Sequence, residues 1–129
     1  MKYNGKYKVF NPNEIKTYPV AGRNNKIKLK DLIFPDKLEL MSFKISSEME
    51  DRIENLAKDI VSARSNGNPV IFFTGGHLIK NGLSLLLGEL IKKNVFTLVA
   101  GNGSTSIHDF ELGLIGETSE YVPQALEKG

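Results

Sequence analysis

Apolar residues recur along this chain with two different periods, and each period predicts a type of secondary structure. After residue 46 they first recur at spacings of four, three and four, which is the pattern of one face of an α-helix. The residues that show this spacing are Met49, Ile53, Leu56 and Ile60. Ser47 and Glu50 form a capping-box pattern at the start of the segment. Asn66 and Gly67 are a stop signal at its end, so the pattern predicts a helix from Ser47 to Asn66.

Two short, continuous apolar runs follow this helix and predict strands. The first run is Val70 to Phe73, and the second is "VFTLVA" at residues 95–100. Both runs are rich in β-branched and aromatic residues, which are typical of strands. Continuous rather than alternating hydrophobicity is typical of a parallel sheet whose two faces are both covered. The sequence therefore predicts two parallel strands, each buried on both faces.

A helix is predicted after each of these strands. The first carries inward-facing apolar residues at Leu83, Leu86, Leu87, Leu90 and Ile91. Ser106 and Asp109 predict the start of the next helix, whose apolar residues are Ile107, Phe110, Leu114 and Ile115. A last short helix is predicted over residues 119–127, with Pro123 in the first turn, where proline is tolerated. We interpret residues 116–120, "GETSE", as loop and cap.

Alternating helices and strands joined by short loops predict an α/β fold with a Rossmann-like parallel sheet and flanking helices. Residues 46–129 would form this nucleotide-binding domain. Two parallel strands make a poor sheet by themselves, because parallel sheets need further strands and cover. The sheet would be completed by the N-terminal arm, by another subunit or by a C-terminal part outside this sequence. We favour the last, so that residues 46–129 would be part of a larger domain.

Residues 1–45 are predicted to be a basic, irregular N-terminal arm. They hold ten of the 17 basic residues and four of the 15 acidic residues. Three prolines interrupt the segment, and only "KIKLK" at residues 26–30 has the alternation of a short edge strand. The lysines are dispersed and no nucleic-acid-binding motif accompanies them, so we do not expect a nucleic-acid partner.

The composition excludes several kinds of site. The chain has no cysteine, which excludes disulfides and thiolate metal sites. No apolar run reaches the roughly 18 residues of a membrane-spanning helix, and the N-terminus has no signal-peptide pattern. We therefore expect a cytoplasmic protein. The chain also lacks a P-loop, a GxGxxG fingerprint and a GxSxG nucleophile elbow.

Candidate chemistry is concentrated where the two predicted strands end. The first strand leads into "TGGHLIKNG" at residues 74–82, and the second into "AGNGSTSIHDFE" at residues 100–111. In open α/β sheets, ligands bind outside the carboxyl ends of the strands. Glycine lets the backbone approach a ligand, and a helix N-terminus favours an anion. Both histidines of the chain lie in these segments. The candidate catalytic residues are His77, Lys80 and His108.

The same two segments resemble the deoxyhypusine synthase-like NAD-binding superfamily. Residues that match the first conserved segment in place and character are Thr74, Gly75, Gly76 and Gly82. Residues that match the second are Gly103, Asp109 and Glu111. The form of residues 100–111 is also similar to the NAD-dependent ornithine cyclodeaminase-like branch of that superfamily. The resemblance covers roughly residues 50–122.

This resemblance implies an NAD cofactor, an amine or amino-acid-like substrate, and a homo-oligomer with sites at subunit interfaces. The implied cofactor-binding residues are Thr74, Gly75, Gly76, Asn102, Gly103, Asp109 and Glu111. Asp109 or Glu111 would accept hydrogen bonds from ribose hydroxyls. The family enzyme carries its catalytic lysine in a Trp-Gly-Lys segment, and this chain has no tryptophan. The deoxyhypusine reaction itself is therefore not assigned to this chain.

Three other functions stay open at this point. The chain could be a nucleotide- or phosphate-binding module without chemistry of its own. It could be a metal-dependent hydrolase, because His108 and Glu111 share a helix face and His77 could supply a third ligand. It could also be a structural or interaction domain, in which both glycine-rich segments are only turns.

Overall fold

The computed structural model describes residues 4–9, 11–40 and 42–127. Its helices are α1 (Ser47–Ser65), α2 (Gly76–Lys80), α3 (Ser84–Lys92), α4 (Gly103–Ile115) and α5 (Val122–Glu127). Its strands are β1 (Asn25–Lys28), β2 (Ile71–Thr74), β3 (Leu98–Gly101) and β4 (Glu117–Glu120). Short 3-10 turns lie at Pro12–Glu14, Val20–Gly22, Leu29–Asp31 and Pro35–Leu40. The chain is a mixed α/β protein, as predicted.

The described residues form two compact units. One is Asn25–Ser119, and the other consists of the described parts of Met1–Asn24 and Glu120–Gly129. This division differs from the predicted boundary between residues 45 and 46. The difference arises because β1 pairs with β4, so residues that the sequence assigned to an irregular arm belong to the larger unit. The predicted edge strand at residues 26–30 is thus present as β1, with slightly different limits.

The parallel pairing of β2 with β3 is confirmed. The two strands run in register from Ile71 opposite Leu98 to Thr74 opposite Gly101. Thr97 fixes the start of the pair, because its backbone N–H and its hydroxyl each donate to the Val70 carbonyl at 2.8 Å. Within the described residues this sheet has two strands, and β1 and β4 form a separate two-stranded sheet. The N-terminal arm therefore does not complete the parallel sheet here.

The prediction that both faces of the parallel strands are buried is wrong for this structure. Ile71, Phe73 and Leu98 are exposed, with 76% of Phe73 accessible to solvent. Alternate residues such as Phe72 and Val99 are half-buried on the opposite face. The helices described here leave the face with Phe73 uncovered, although the apolar composition of the strands suits cover on both sides.

The N-cap residues of two helices differ from the predicted ones. The N-cap of α1 is Ser46 rather than Ser47, and its hydroxyl accepts from the Met49 backbone N–H at 3.3 Å. The N-cap of α4 is Asn102 rather than Ser106. The α4 helix therefore begins at Gly103, and Asp109 lies in its middle instead of its first turn.

The segment 116–120, which the sequence analysis interprets as loop and cap, contains the strand β4. Thr118 and Ser119 of this strand are buried.

The core of the larger unit is small and joins three parts of the chain. Leu32, Ile79 and Leu112 are buried together, with Leu78 and Leu85 packed against them. Gly82 holds the segment around Leu32 in place, because its carbonyl accepts from the Ile33 backbone N–H at 2.8 Å. The backbone of Gly82 is left-handed, with φ +78°.

In the smaller unit, residues 120–125 contact the segment before residue 25. The Tyr121 backbone N–H donates to the Asn24 carbonyl at 2.8 Å. The Tyr18 hydroxyl donates to the Glu120 carboxylate. This hydrogen bond, together with partial desolvation and the charge of Glu120, raises the pKa of Tyr18.

The predicted position of Pro123, in the first turn of the last helix, is confirmed by α5. None of the helices described here is sufficiently long and apolar to cross a membrane.

We predict that Gly82→Ala destabilises the larger unit. A methyl carbon at this position would lie 2.7 Å from the Asp31 carbonyl oxygen, and the left-handed backbone would be strained as well. Strain of this kind costs about 1–3 kcal/mol. Urea denaturation of the variant measures the loss.

Gly113→Ala is the matched control for this variant, because Gly113 is an exposed helical residue with open space around it. We expect Gly113→Ala to stabilise the protein by up to about 1 kcal/mol through helix propensity. Equal effects of the two substitutions would contradict the role given to Gly82.

Candidate functional site

The pairing of β2 with β3 brings the two glycine-rich segments to the same end of the sheet. Thr74 and Gly101 are opposite each other at the carboxyl ends of the strands. A methyl carbon on Gly75 would lie 3.6 Å from Asn102 Nδ2, so the two turns are in contact distance. The pairing thus brings together two segments whose opposite residues are 27 positions apart in the sequence.

A cavity of about 420 Å³ opens beside this end of the sheet, between α3 and α4. Its apolar part is formed by Ile79, Leu87, Ile91 and Val99. Its polar part is formed by Ser84, Thr105, Ser106 and Asp109. Ligand pockets are typically about 300–1,000 Å³, and the volume of this cavity lies within that range. Its lining is apolar and polar in similar parts.

The glycines in and beside the two turns differ in how much space surrounds the position that a side chain would occupy. A methyl carbon on Gly76 would overlap the Ser104 hydroxyl and lie 2.8 Å from His108 Cδ2. A methyl carbon on Gly101 would lie 2.9 Å from Thr105 Oγ1. These two glycines are therefore required by contacts within the protein. Gly103 has open space where a side chain would be, so its backbone is accessible to a ligand.

Two other predicted cofactor-binding residues take part in the local backbone structure. The side-chain oxygen of Asn102 accepts from the Thr105 backbone N–H at 3.2 Å and caps α4. The Thr74 hydroxyl donates to the Gly75 carbonyl at 3.2 Å. Both residues shape the turns that surround the site.

The structure separates the two acidic candidates. Asp109 is exposed and lines the cavity together with Ser106. Glu111 is half-buried on another face of α4, where its carboxylate accepts from the Thr118 hydroxyl at 2.6 Å. Asp109 is therefore the acid placed to meet a ligand in the cavity.

His108 and Glu111 come together through Thr118, a residue that the sequence analysis did not select. His108 Nδ1 lies 2.8 Å from Thr118 Oγ1 and 3.7 Å from Glu111 Oε2. Thr118 is completely buried. Its polar neighbours in "GETSE" resemble a loop, so nothing in the local pattern indicates burial. Ser84, on the cavity wall, has no distinctive signal either, because a serine at the start of a helix is common in any helix.

The other two candidate catalytic residues lie on α2. His77 is exposed and Lys80 is half-buried. Across the described ranges, no three His, Cys, Asp or Glu side chains are close enough to hold a metal ion. The metal-dependent alternative needs His77, His108 and Glu111 as a ligand set, and this structure does not assemble that set.

Comparisons of the chain with protein-family models, with curated proteins and with solved structures found no match. The family resemblance given above therefore stays a prediction that depends on the residues quoted for it.

We predict that Gly76→Ala destabilises the larger unit by about 1–3 kcal/mol, the usual cost of overpacking. The added methyl group would collide with Ser104 and His108 and force α2 away from α4. Chemical denaturation measures the change.

Gly103→Ala is the control from the opposite turn, because its methyl group would enter open space at the first position of a helix. We expect it to leave stability unchanged or to raise it by up to about 1 kcal/mol. A Gly103→Ala variant as unstable as Gly76→Ala would mean that Gly103, too, is required for packing.

Proposed function

We propose that this chain binds NAD at the carboxyl ends of β2 and β3, as the NAD-binding part of an enzyme that acts on an amine or amino-acid-like substrate. The fold class in this proposal is Rossmann-like and deoxyhypusine synthase-like. The observation that carries the proposal is the register of β2 and β3, which brings both glycine-rich turns to one end of the sheet. The segment after β3 lines the neighbouring cavity with Thr105, Ser106 and Asp109. Ligand binding at this end is general in open α/β sheets.

The chemistry of the cavity suits a dinucleotide. Its apolar wall can contact a planar ring, and the Asp109 carboxylate can accept hydrogen bonds from ribose hydroxyls. Gly103 leaves room for a pyrophosphate at the N-terminus of α4, a helix of 13 residues whose dipole favours an anion. The bound cofactor would supply the hydride chemistry, while the protein would bind and orient it.

His108 is the proposed acid or base, because its ring lies against Gly76, where α2 begins at the carboxyl end of β2. An imidazole can accept or donate a proton near neutral pH. We propose a supporting role for His77 and Lys80, which follow on α2 and can contact the substrate or a phosphate group. A cytoplasmic location belongs to the same proposal.

We also propose that the protein is a homo-oligomer. The outer side of α4 carries an exposed apolar stripe at Ile107, Phe110 and Leu114, spaced as on one helix face. Exposed apolar patches of this kind mark association surfaces. Because the same helix carries His108 and Asp109, an interface there would lie next to the site.

We predict that Phe110→Glu weakens this self-association, because it places a charge in the middle of the stripe. Sedimentation velocity over a range of protein concentrations measures the change, with Glu54→Gln on α1 as the control. A wild-type protein that stays monomeric throughout would contradict the proposed oligomer.

We predict that NAD and ADP-ribose stabilise the protein against thermal unfolding. A ligand at 100 times its Kd adds about 2.7 kcal/mol of stability. Asp109→Asn should weaken the binding about 10- to 100-fold, because a hydrogen bond to a charged group contributes about 1.5–3 kcal/mol. Asp59→Asn, which changes an exposed acid of α1 in the same way, should leave the binding unchanged.

The outcome separates the functions left open by the sequence. Stabilisation by ADP-ribose without turnover of any amine would favour the non-catalytic nucleotide-binding module. Equal loss of binding in Asp109→Asn and Asp59→Asn would remove Asp109 from the site. No response to NAD or to ADP-ribose would contradict the proposed function.

A further inference from the structure

Three side chains form a hydrogen-bonded chain beside the Gly75–Gly76 turn. Thr118 Oγ1 donates to Glu111 Oε2 at 2.6 Å, and His108 Nδ1 lies 2.8 Å from the same hydroxyl oxygen. Thr118 has no solvent-accessible surface, so water does not compete for these bonds. The three groups are thus joined by two short hydrogen bonds that share the Thr118 hydroxyl oxygen.

The direction of each hydrogen bond follows from the number of hydrogens that the hydroxyl and the carboxylate can donate. A hydroxyl has one hydrogen, and an ionised carboxylate can only accept. The Thr118 hydrogen is therefore directed at Glu111, and Thr118 Oγ1 can only accept from His108. This requires a hydrogen on His108 Nδ1, and in the neutral ring it leaves Nε2 unprotonated.

We propose that Thr118 and Glu111 hold His108 in its Nδ1–H tautomer, so that Nε2 is the proton acceptor of the site. Thr118 is a positioning residue in this arrangement, because it acts through the imidazole. The inference depends on the proposed function for its substrate, which is an amine, but the tautomer itself can be measured without cofactor or substrate.

The position of Nε2 agrees with this role. His108 Cδ2 lies 2.8 Å from the place of a methyl group on Gly76, and Nε2 is bonded to Cδ2. Nε2 is therefore one bond away from the ring atom that contacts the start of α2, at the carboxyl end of β2. In the described part of the chain, Thr118 is the one hydrogen-bond partner of the ring, and 16% of the side chain is accessible to solvent.

The proton transfer is balanced without any other group. An ammonium group of the substrate gives its proton to the Nε2 lone pair, and the substrate nitrogen regains its own lone pair. That lone pair would form the C=N bond if the adjacent carbon were oxidised, with the NAD of the proposed function as the hydride acceptor. His108 becomes an imidazolium that still donates from Nδ1, and the Glu111 carboxylate, 3.7 Å from Nδ1, stabilises the positive charge.

The test is the tautomer of His108 in the full chain, read from two-bond ¹H–¹⁵N correlations after ¹⁵N-histidine labelling. The spectrum is recorded at about pH 8.5, roughly two units above the ordinary imidazole pKa of about 6.5. We expect His108 as Nδ1–H. Exposed His77 is the internal control and should show the Nε2–H form that a free side chain prefers. His77→Gln assigns the two sets of signals.

Two variants separate positioning from packing. Thr118→Val keeps the size of the side chain but removes the acceptor, so His108 should change to the Nε2–H form. Thr118→Ser keeps the hydroxyl and should keep the Nδ1–H form. A wild-type protein with His108 as Nε2–H would overturn the proposal, whether or not the variants fold.

Access to Nε2 is tested separately with diethylpyrocarbonate, which reacts with an unprotonated imidazole nitrogen. Peptide mass spectrometry should find modification at His108 as well as at His77. Modification of His77 alone in folded protein, with both residues modified after unfolding, would show that Nε2 does not face a ligand. Neither experiment contains NAD, so failure of NAD binding and failure of this inference give different results.

Discussion

The close approach of α2 to α4 at Gly76 is the constraint on which the candidate site depends. With no side chain at Gly76, the first turn of α2 can lie against Ser104 and His108. This contact sets the ring of His108 beside the end of β2, while the register of β2 and β3 sets Gly103 at the end of β3. Packing density in protein interiors leaves little freedom for an added methyl group at such a contact.

Much of this arrangement could be predicted from local pattern, and the limits of prediction have physical causes. The apolar runs located β2 and β3 to within a few residues, because strand hydrophobicity is a local property. The cap of α4 was misplaced, since "NGSTS" contains several residues that can cap and only the end of β3 decides among them. The burial of Thr118 could not be predicted, because it depends on contacts with α4 rather than on its own neighbours in sequence.

Polar and apolar roles are divided around α4. Asp109 lines the cavity, His108 and Glu111 face the buried threonine, and Ile107, Phe110 and Leu114 are exposed. Most of the circumference of α4 carries polar or exposed apolar side chains, and Leu112 is its one buried residue. The buried cluster of this unit consists of Leu32, Ile79 and Leu112, so α4 contributes one residue to it.

Thr118 belongs to β4, which pairs with β1 and not with the two strands that form the site. The residue that we propose to set the tautomer of His108 is thus held by a ribbon only four residues long in each strand. Short ribbons of this kind open locally at a lower free energy than the rest of a domain. Opening of this ribbon would free the Thr118 hydroxyl from His108, so the tautomer of the imidazole would report on the order of β4.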